Sequence, residues 1–537
     1  MLNLISKYPV LSLLICCLLL YFLNLIELPV TIMEARNFNV TREMLRDGNW
    51  FLTTMNGQPR FEKPPFPAWF TTLFIQSDIA AVYLYRISTS VVATIGVLFS
   101  FYLFKSIGKS KKTAFIGALI LATSYYYIEI RFEAPSDIYT HAFMLGALLF
   151  LVKSFYNKSH IYGTIILAII CFAISVLSKG PVSLYVLFLP FIIAFFITYT
   201  TDRKVYLISL VCLVLGLALG GIWYLYVQNV SPFVFEQIAS KETSNWSSYN
   251  VRPFYYYWSF FIQSGIWTIP AALSLLYPYY KSKVENPKLY KFTWLWTILA
   301  VVLLSFIPEK KSRYLMPVLI PLAFNTAQII SYQIKSKKLD LWSQVSMKIH
   351  YSLLFIIGLS VVTIPLFLEV RNSDFWIWYY VFITLMFTVS GFIFFNFNPL
   401  KLNRLFFSSI ALVLIITTVG LYGIQFLKYN GNYKTFSTSE LSKKNLYYFE
   451  SIRPETIWEI NLISKPIDFN KIEYNGEIKV IVENTFLQEF QNNLPEEYTI
   501  LKTDVLDLNY FHNKESARHK EELMNYIFTL QCKNDYN

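Results

Sequence analysis

The chain has 537 residues, 55% of them hydrophobic and only 15% charged, with a mean hydropathy of +0.43. A soluble protein of this length carries about a quarter charged residues, so a soluble globular enzyme is excluded. The net charge of +12 falls in short Lys/Arg clusters between apolar blocks, as the positive-inside rule requires, which argues against a nucleic-acid binder.

The apolar residues come in blocks of about twenty, the length at which a helix crosses roughly 30 Å of hydrocarbon. The first block, 10–28, lacks the small-residue cleavage site of a signal peptide and reads as an uncleaved span. A charged stretch over 29–78 follows, and within it "ARNFNVTREML" spaces polar and apolar residues as an amphipathic helix does. Further spans are predicted at 79–104, 113–128, 137–152, 161–178, 182–200, 205–228, 256–280, 292–307, 314–334, 349–368, 375–397 and 405–427, about thirteen in all. From 428 onward the charges scatter and the apolar runs shorten. There "EIKVIVEN" (477–484) predicts a strand, "TFLQEFQNNL" a helix and "YTILKTDVLDL" a second strand. The expected fold is an all-α polytopic membrane protein over 1–427, with amphipathic helices in the loop 29–78 and a small α/β or α+β domain over 428–537. Four of the five cysteines lie within apolar spans and imply no disulfide framework.

With the N-terminus and Lys7 in the cytoplasm, six alternate connections fall on one side: 105–112, 153–160, 201–204, 281–291, 335–348 and 398–404. Each is rich in Lys or Arg and poor in acids. That agreement orients the chain as a multi-pass protein of the inner (cytoplasmic) membrane, with the domain 428–537 extracytoplasmic.

The remaining connections carry charge on the disfavoured side. These are 29–78, "EIRFEAPSD" (129–137), "SKGP" (178–181), the stretch 229–253 and "PEKKSR" (308–313). Each has an ordinary explanation: a helix-breaking turn with a snorkelling lysine, a helix cap at Ser136 or Asp137, an interfacial anchor, amphipathic helices on the lipid surface. Ionisable groups at membrane depth are nevertheless costly unless paired or wetted. Five such clusters on one face, supplying both carboxylates and fixed cations, point to a common purpose. Departing phosphate needs positive charge where its own charge develops, and a carboxylate orients or deprotonates an acceptor hydroxyl. Nucleotide sugars are not supplied outside the cell, so an activated sugar arrives there on a polyprenyl carrier.

At these residues the sequence resembles the GT-C class of membrane glycosyltransferases, in the branch of the lipid A aminoarabinose transferases and protein O-mannosyltransferases. The resemblance rests on "MEARNFNVTREMLRDGNWFLTTMNGQPRFEKPP", "RFEAPSD", "SKGP" and "EKKSRYLMP", in that order, over about residues 25–325. It implies an inverting transfer of a sugar from a polyprenyl-phosphate donor to an envelope acceptor such as lipid A, another glycolipid or a protein. Carried over by position, Glu34, Asp137 and Glu62 are the candidate catalytic acids. Arg36, Lys63, Lys179, Lys310, Lys311, Arg313 and Tyr314 are expected around the donor phosphate. Arg131, Glu133, Asn250 and Arg252 are candidates for contact with the acceptor or the substrate. No cofactor is implied with certainty; a divalent metal is left open, with Glu62 as a candidate ligand.

Two departures qualify the resemblance. Met33 stands where the family usually has an aspartate, and the stretch 229–255 contains no histidine. Either Glu34 or Asp137 takes over the acidic role, or the acceptor is a phosphate already ionised at neutral pH. His141, inside a span, reads as a packed helix residue. A flippase and a non-catalytic binder of lipid-linked sugars are the competing readings.

Overall fold

In a computed structural model, the described residues are 7–76, 81–133, 135–156, 160–367, 373–427, 430–442, 445–469, 472, 476–512 and 514–532. The chain opens with α1 (Pro9–Tyr21), the first-loop helix α2 (Ile32–Asp47), a two-residue hairpin of β1 (Thr54–Met55) and β2 (Gln58–Pro59), and the short α3 (Phe66–Thr72). The bundle continues through α4 (Val82–Gly108), α5 (Lys111–Ala122), α6 (Tyr125–Glu133), α7 (Pro135–Tyr156), α8 (Ile161–Lys179), α9 (Leu189–Thr198) and α10 (Arg203–Val230). After α11 (Pro232–Ser248) come α12 (Thr268–Ser274), α13 (Tyr277–Tyr280), α14 (Pro287–Phe306), α15 (Met316–Lys335), α16 (Leu341–Ser360), α17 (Ser373–Phe395) and α18 (Leu402–Ile415).

Among the described residues, nine helices are long and apolar enough to cross a membrane. A tenth span arises if α5 and α6, bent by 50° at their junction, count as one. The chain is therefore a multi-pass membrane protein, but the thirteen expected spans are not all continuous helices. The block 10–28 yields only the thirteen residues of α1, and 182–200 becomes a π-helical turn at Leu184–Phe188 followed by α9. The block 256–280 is not a single helix. Gly265, at φ +67°, turns the chain inside the 3-10 segment Phe260–Trp267, and only then does α12 begin. An apolar run records hydrophobicity, not helical continuity.

Burial sorts the helices by position. Helix α15 is almost wholly enclosed, and its polar residues satisfy one another: the Asn325 amide donates to the Ser274 carbonyl at 2.7 Å, and the Thr293 hydroxyl donates to Asn325 Oδ1 at 3.0 Å. This is how amides survive in an apolar interior. Helix α10 faces outward along most of its length, with Leu207, Leu215 and Ile222 exposed, as lipid contact requires. Its Gly220 lies so close to α8 that a Cβ would meet Val176 at 2.6 Å, the small-residue packing that membrane helices use.

Beyond 428 the chain forms a mixed five-stranded sheet. Its strands are β3 (Leu446–Tyr448), β4 (Lys465–Pro466), β5 (Ile478–Glu483), β6 (Tyr498–Asp507) and β7 (Met524–Cys532), in the order β4-β3-β5-β7-β6. β3 pairs in parallel with β4 and β5, while β7 runs antiparallel to β5 and β6. Two short helices accompany it, α19 (Pro454–Ile460) and α20 (Leu487–Asn493). Helix α19 docks on α2. Trp458 packs on Phe38 and Tyr85, with ring centroids 5.4 and 5.0 Å away. The Arg42 guanidinium lies over the Trp458 ring and donates to the carbonyls of Ile457 and Trp458.

Candidate active site

Helix α2 begins with a capping box: the Glu34 amide donates to the Thr31 hydroxyl, and the Thr31 amide donates to the Glu34 carboxylate. Its faces then divide the charged residues of the first loop. Glu34, Phe38 and Arg42, spaced at helical intervals, turn into the protein. The Glu34 carboxylate is fully buried and held by Arg86 through two bonds of 2.8 Å, the parallel fork that fits a guanidinium to a carboxylate. Arg86 also donates to the carbonyls of Leu25, Leu28 and Pro29.

Arg131 has an equally inward role. Its guanidinium is buried, donates to the carbonyls of Leu20 and Tyr21, and lies over the rings of Phe132 and Tyr21. Glu34 and Arg131 therefore brace the junction of α1, α2, α4 and α6. Glu43 is likewise structural, accepting from Thr54 Oγ1 and from the amides of Asn56 and Gly57. The side chain of Glu133 lies outside the described residues.

The other face of α2 carries Met33, Arg36 and Asn37. The Ser136 hydroxyl donates to the Asn37 side-chain oxygen at 3.1 Å, which sets this face beside the start of α7. Asp137, in the first turn of α7, is ion-paired to Lys179, the last residue of α8. A carboxylate at a helix N-terminus and an ammonium at a helix C-terminus each sit favourably in the local field of the backbone. Gly180 makes the geometry possible. It closes α8 at φ +76°, and a Cβ there would meet the Tyr224 hydroxyl at 2.9 Å. The Lys-Gly-Pro turn thus leaves Lys179 at the end of α8, against Asp137.

Around this pair the cations gather. Lys179, Lys311 and Arg313 all lie about the Tyr314 ring, at 5.4, 5.9 and 6.0 Å from its centroid, within cation–π range. Lys311 also pairs with Glu309 and lies over Tyr249. The Tyr257 hydroxyl fixes its backbone, accepting from the Lys311 amide at 3.0 Å and donating to its carbonyl at 3.1 Å. From the first loop come Arg60 and Lys63. Arg60 donates to the Arg36 carbonyl at 2.7 Å and sits 3.8 Å from Glu62. Burial, and next the charge of Lys179, push the Lys63 pKa down to about 8. Burial likewise draws Arg60 down to about 10, with Glu62 opposing the shift. Both remain cations at neutral pH.

Three polar atoms here are buried and without a hydrogen-bond partner: Asp137 Oδ2, Arg313 Nε and Glu62 Oε2, the last with only the ion-pair contact to Arg60 at 3.8 Å. Buried polar atoms are rarely left unpaired, and each such exception asks for an explanation. A bound polar ligand supplies one. The structure thus brings together Arg36, Glu62, Lys63, Asp137, Lys179, Lys311, Arg313 and Tyr314. Lys310 is turned away, its buried ammonium donating to the Ile307 carbonyl at 2.5 Å. Asn250 and Arg252 are exposed; the Lys310 amide donates to the Asn250 carbonyl and the Arg252 amide to the Pro308 carbonyl, which holds this segment against 308–310. His141 is packed as expected, Nδ1 lying 2.6 Å from the Ser183 hydroxyl. Glu242 on α11, which the sequence did not single out, acts electrostatically on both Lys63 and Arg60. Among the described residues no group of three His, Cys, Asp or Glu side chains is arranged to hold a metal. Among these residues Glu62 belongs to no such group.

This bundle, with its cationic pocket beside a first-loop helix, has the fold of the GT-C membrane glycosyltransferases. Within that class the chain resembles the aminoarabinose transferase branch. Residues 62–220 match the dolichyl-phosphate-mannose-protein mannosyltransferase family. The crystal structure of ArnT from Cupriavidus metallidurans bound to undecaprenyl phosphate superposes with a TM-score of 0.71 over 97% of both chains, at 14% identity. The apo form of the same protein gives 0.68. An undecaprenyl phosphate-alpha-4-amino-4-deoxy-L-arabinose arabinosyl transferase from Serratia proteamaculans is 22% identical over 54% of this chain and 53% of its own length. A protein of unassigned function from Aquifex aeolicus is 24% identical over 60% of this chain and 63% of its own. The chain thus spans between half and two thirds of these curated relatives.

Proposed function

We propose that the protein transfers a sugar from a polyprenyl-phosphate donor to an acceptor in the cell envelope, on the extracytoplasmic face of the inner membrane. The observation that carries this reading is the Asp137–Lys179 pair with its unpartnered Oδ2, set among Lys63, Lys311, Arg313 and Tyr314. In the reaction an acceptor oxygen attacks the anomeric carbon from the face opposite the phosphate. The bond between that carbon and the phosphate oxygen breaks, and polyprenyl phosphate leaves with the electron pair. Lys63, Lys179, Lys311 and Arg313 stabilise the charge that develops on the leaving oxygen, already in position before the reaction begins. Asp137 holds Lys179 in place and offers its free oxygen to the acceptor or the sugar.

Because Glu34 is engaged by Arg86 and position 33 is methionine, Asp137 and Glu62 are, of the three candidate residues, the carboxylates left to take the proton that an acceptor hydroxyl loses as it attacks. An acceptor that is itself a phosphate needs no base, and the surplus of cations over carboxylates suits it. The sugar is of the hexose or aminopentose kind on the strength of the resemblance alone. The test is incubation of the purified protein with defined polyprenyl-phosphate sugars and extracted envelope lipids, with products weighed by mass spectrometry. A lipid heavier by one sugar, lost in Asp137→Asn and Lys179→Ala, is the expected result. Tight binding of polyprenyl phosphate with no sugar released would instead make the protein a non-catalytic binder.

A further inference from the structure

A second cavity lies away from this site, between α17, the segment 418–426 and the loop after α1. Its volume is about 550 Å³, within the usual range for small-molecule sites. It opens at the end of the bundle that carries the first loop, where Asn24 ties that loop to the last span by donating to the carbonyls of Thr417 and Thr418.

The lining is of two kinds. Trp378, Tyr422 and Phe426 form aromatic walls, the Trp378 indole being anchored by a bond of 2.6 Å to the Val419 carbonyl. Two polar groups interrupt them. Asp374 stands at the mouth, in the first turn of α17, and no cation among the described residues pairs with it. The Gln425 amide nitrogen is buried and has no hydrogen-bond partner. On the outer side the cavity meets Ile377 and Val381, 65% and 50% exposed, which belong to the lipid-facing stripe of α17.

A carboxylate that accepts only a long bond of 3.5 Å from the Ser373 hydroxyl, has no cation partner among the described residues and has aromatic walls beside it is a receptor for an ammonium, and an unpaired buried N–H is a receptor for an anionic oxygen. A ligand that satisfies both is a zwitterion, and the opening onto a lipid-facing stripe gives its source. We propose that this cavity holds the phosphoethanolamine headgroup of a membrane phospholipid, with its ammonium on Asp374 and a phosphodiester oxygen accepting from Gln425. The acyl chains then run along Ile377 and Val381. A glycerol headgroup has no cation; a choline headgroup suits the aromatic walls but has no N–H to donate to the Asp374 carboxylate, which favours ethanolamine.

The test uses the full-length protein in mixed micelles holding equal amounts of phosphatidylethanolamine, phosphatidylcholine and phosphatidylglycerol. Lipids retained through native mass spectrometry are counted for wild type, Asp374→Asn and Gln425→Leu. Wild type is expected to retain the ethanolamine lipid about fivefold over either other lipid, the scale of one exposed ion pair with cation–π support. Asp374→Asn, at an exposed position that folding tolerates, is expected to abolish the preference, and Gln425→Leu to lower it. Equal retention of the three lipids by wild type overturns the proposal, as does a preference that survives in Asp374→Asn.

Discussion

Glu34 and Arg86 form a fully buried ion pair, closed by two N–H···O bonds of 2.8 Å and completed by the Thr31 amide. Three of the roughly four acceptor sites of this carboxylate are occupied within the protein, and the side chain has no exposed surface. The arrangement fits a structural role for Glu34, holding the start of α2 against α4.

Breaking that pair from one side leaves an uncompensated buried charge. Arg86→Leu is expected to destabilise the protein by about 3–5 kcal/mol, read as a lowered Tm in detergent. Replacing both partners, as Glu34→Gln with Arg86→Gln, is expected to recover part of the loss. A Glu34→Gln variant with unchanged Tm and no activity would show instead that this carboxylate takes part in the chemistry.

Lys63 and Arg313 touch the same pocket from the first loop and from the approach to α15. Lys63→Ala and Arg313→Ala are each expected to weaken binding of polyprenyl phosphate about tenfold, the scale of one charge-assisted hydrogen bond to phosphate. Lys111→Ala is the control, since its ammonium lies near the Lys7 carbonyl at the start of α1. Equal losses from all three, measured by titration with the lipid phosphate, would break the link between the pocket and the donor.

The Lys63 ammonium, with a pKa near 8, gives donor binding a pH dependence of definite sign. A phosphate favours the protonated form. Affinity is accordingly full only well below pH 8 and falls as pH rises through about 8. Lys63→Arg, whose guanidinium keeps its proton, is expected to move the inflection to higher pH. An identical profile in that variant would assign the titration to another group.

Met33 lies with its sulfur 3.9 Å from an Arg36 nitrogen, on the face of α2 turned toward Asn37 and α7. An aspartate there has a cation ready to receive it, so Met33→Asp is expected to be tolerated, with Tm and turnover within a few-fold of wild type. Complete loss of turnover would mean that the pocket depends on methionine at this point.

Trp458 is the hinge pin between the tail and the first loop. Trp458→Ala removes its contacts with Phe38, Tyr85 and Arg42 and is expected to cost about 3–5 kcal/mol. Hydrogen exchange over residues 32–47 is expected to rise in this variant while α14 and α15 stay protected. Unchanged exchange in α2 would show that the helix stands without the tail.

The location of the pocket was legible in the sequence because charge is scarce in this chain. Lys179, Asp137 and Arg313 stand out against apolar neighbours, and a turn such as Lys-Gly-Pro leaves few places for its lysine to go. The roles of individual charges were less legible. Glu34 and Arg36 are two residues apart, yet a helix rotates them to different faces, and the partner that claims Glu34 lies within a span fifty positions on. Arg86 could have been noticed, since an arginine inside an apolar block is itself a signal. Lys310 and Lys311 part for a similar reason: the chain is extended there, with Lys311 at φ −134° and ψ 143°, and successive side chains point to opposite sides. Glu242 gave no signal, because its neighbours in the pocket are set by tertiary folding alone.

The grip of α19 on α2 ties together segments more than four hundred positions apart in the chain. A ribosome that has produced only the bundle has not yet produced the piece that steadies its front edge, so Arg42 and Phe38 must wait, uncovered, for the last fifth of the chain to arrive. A copy cut short before residue 454 lacks the Ile457 and Trp458 carbonyls that receive Arg42 and the Trp458 ring that packs on Phe38, so this face of α2 is left without its cover.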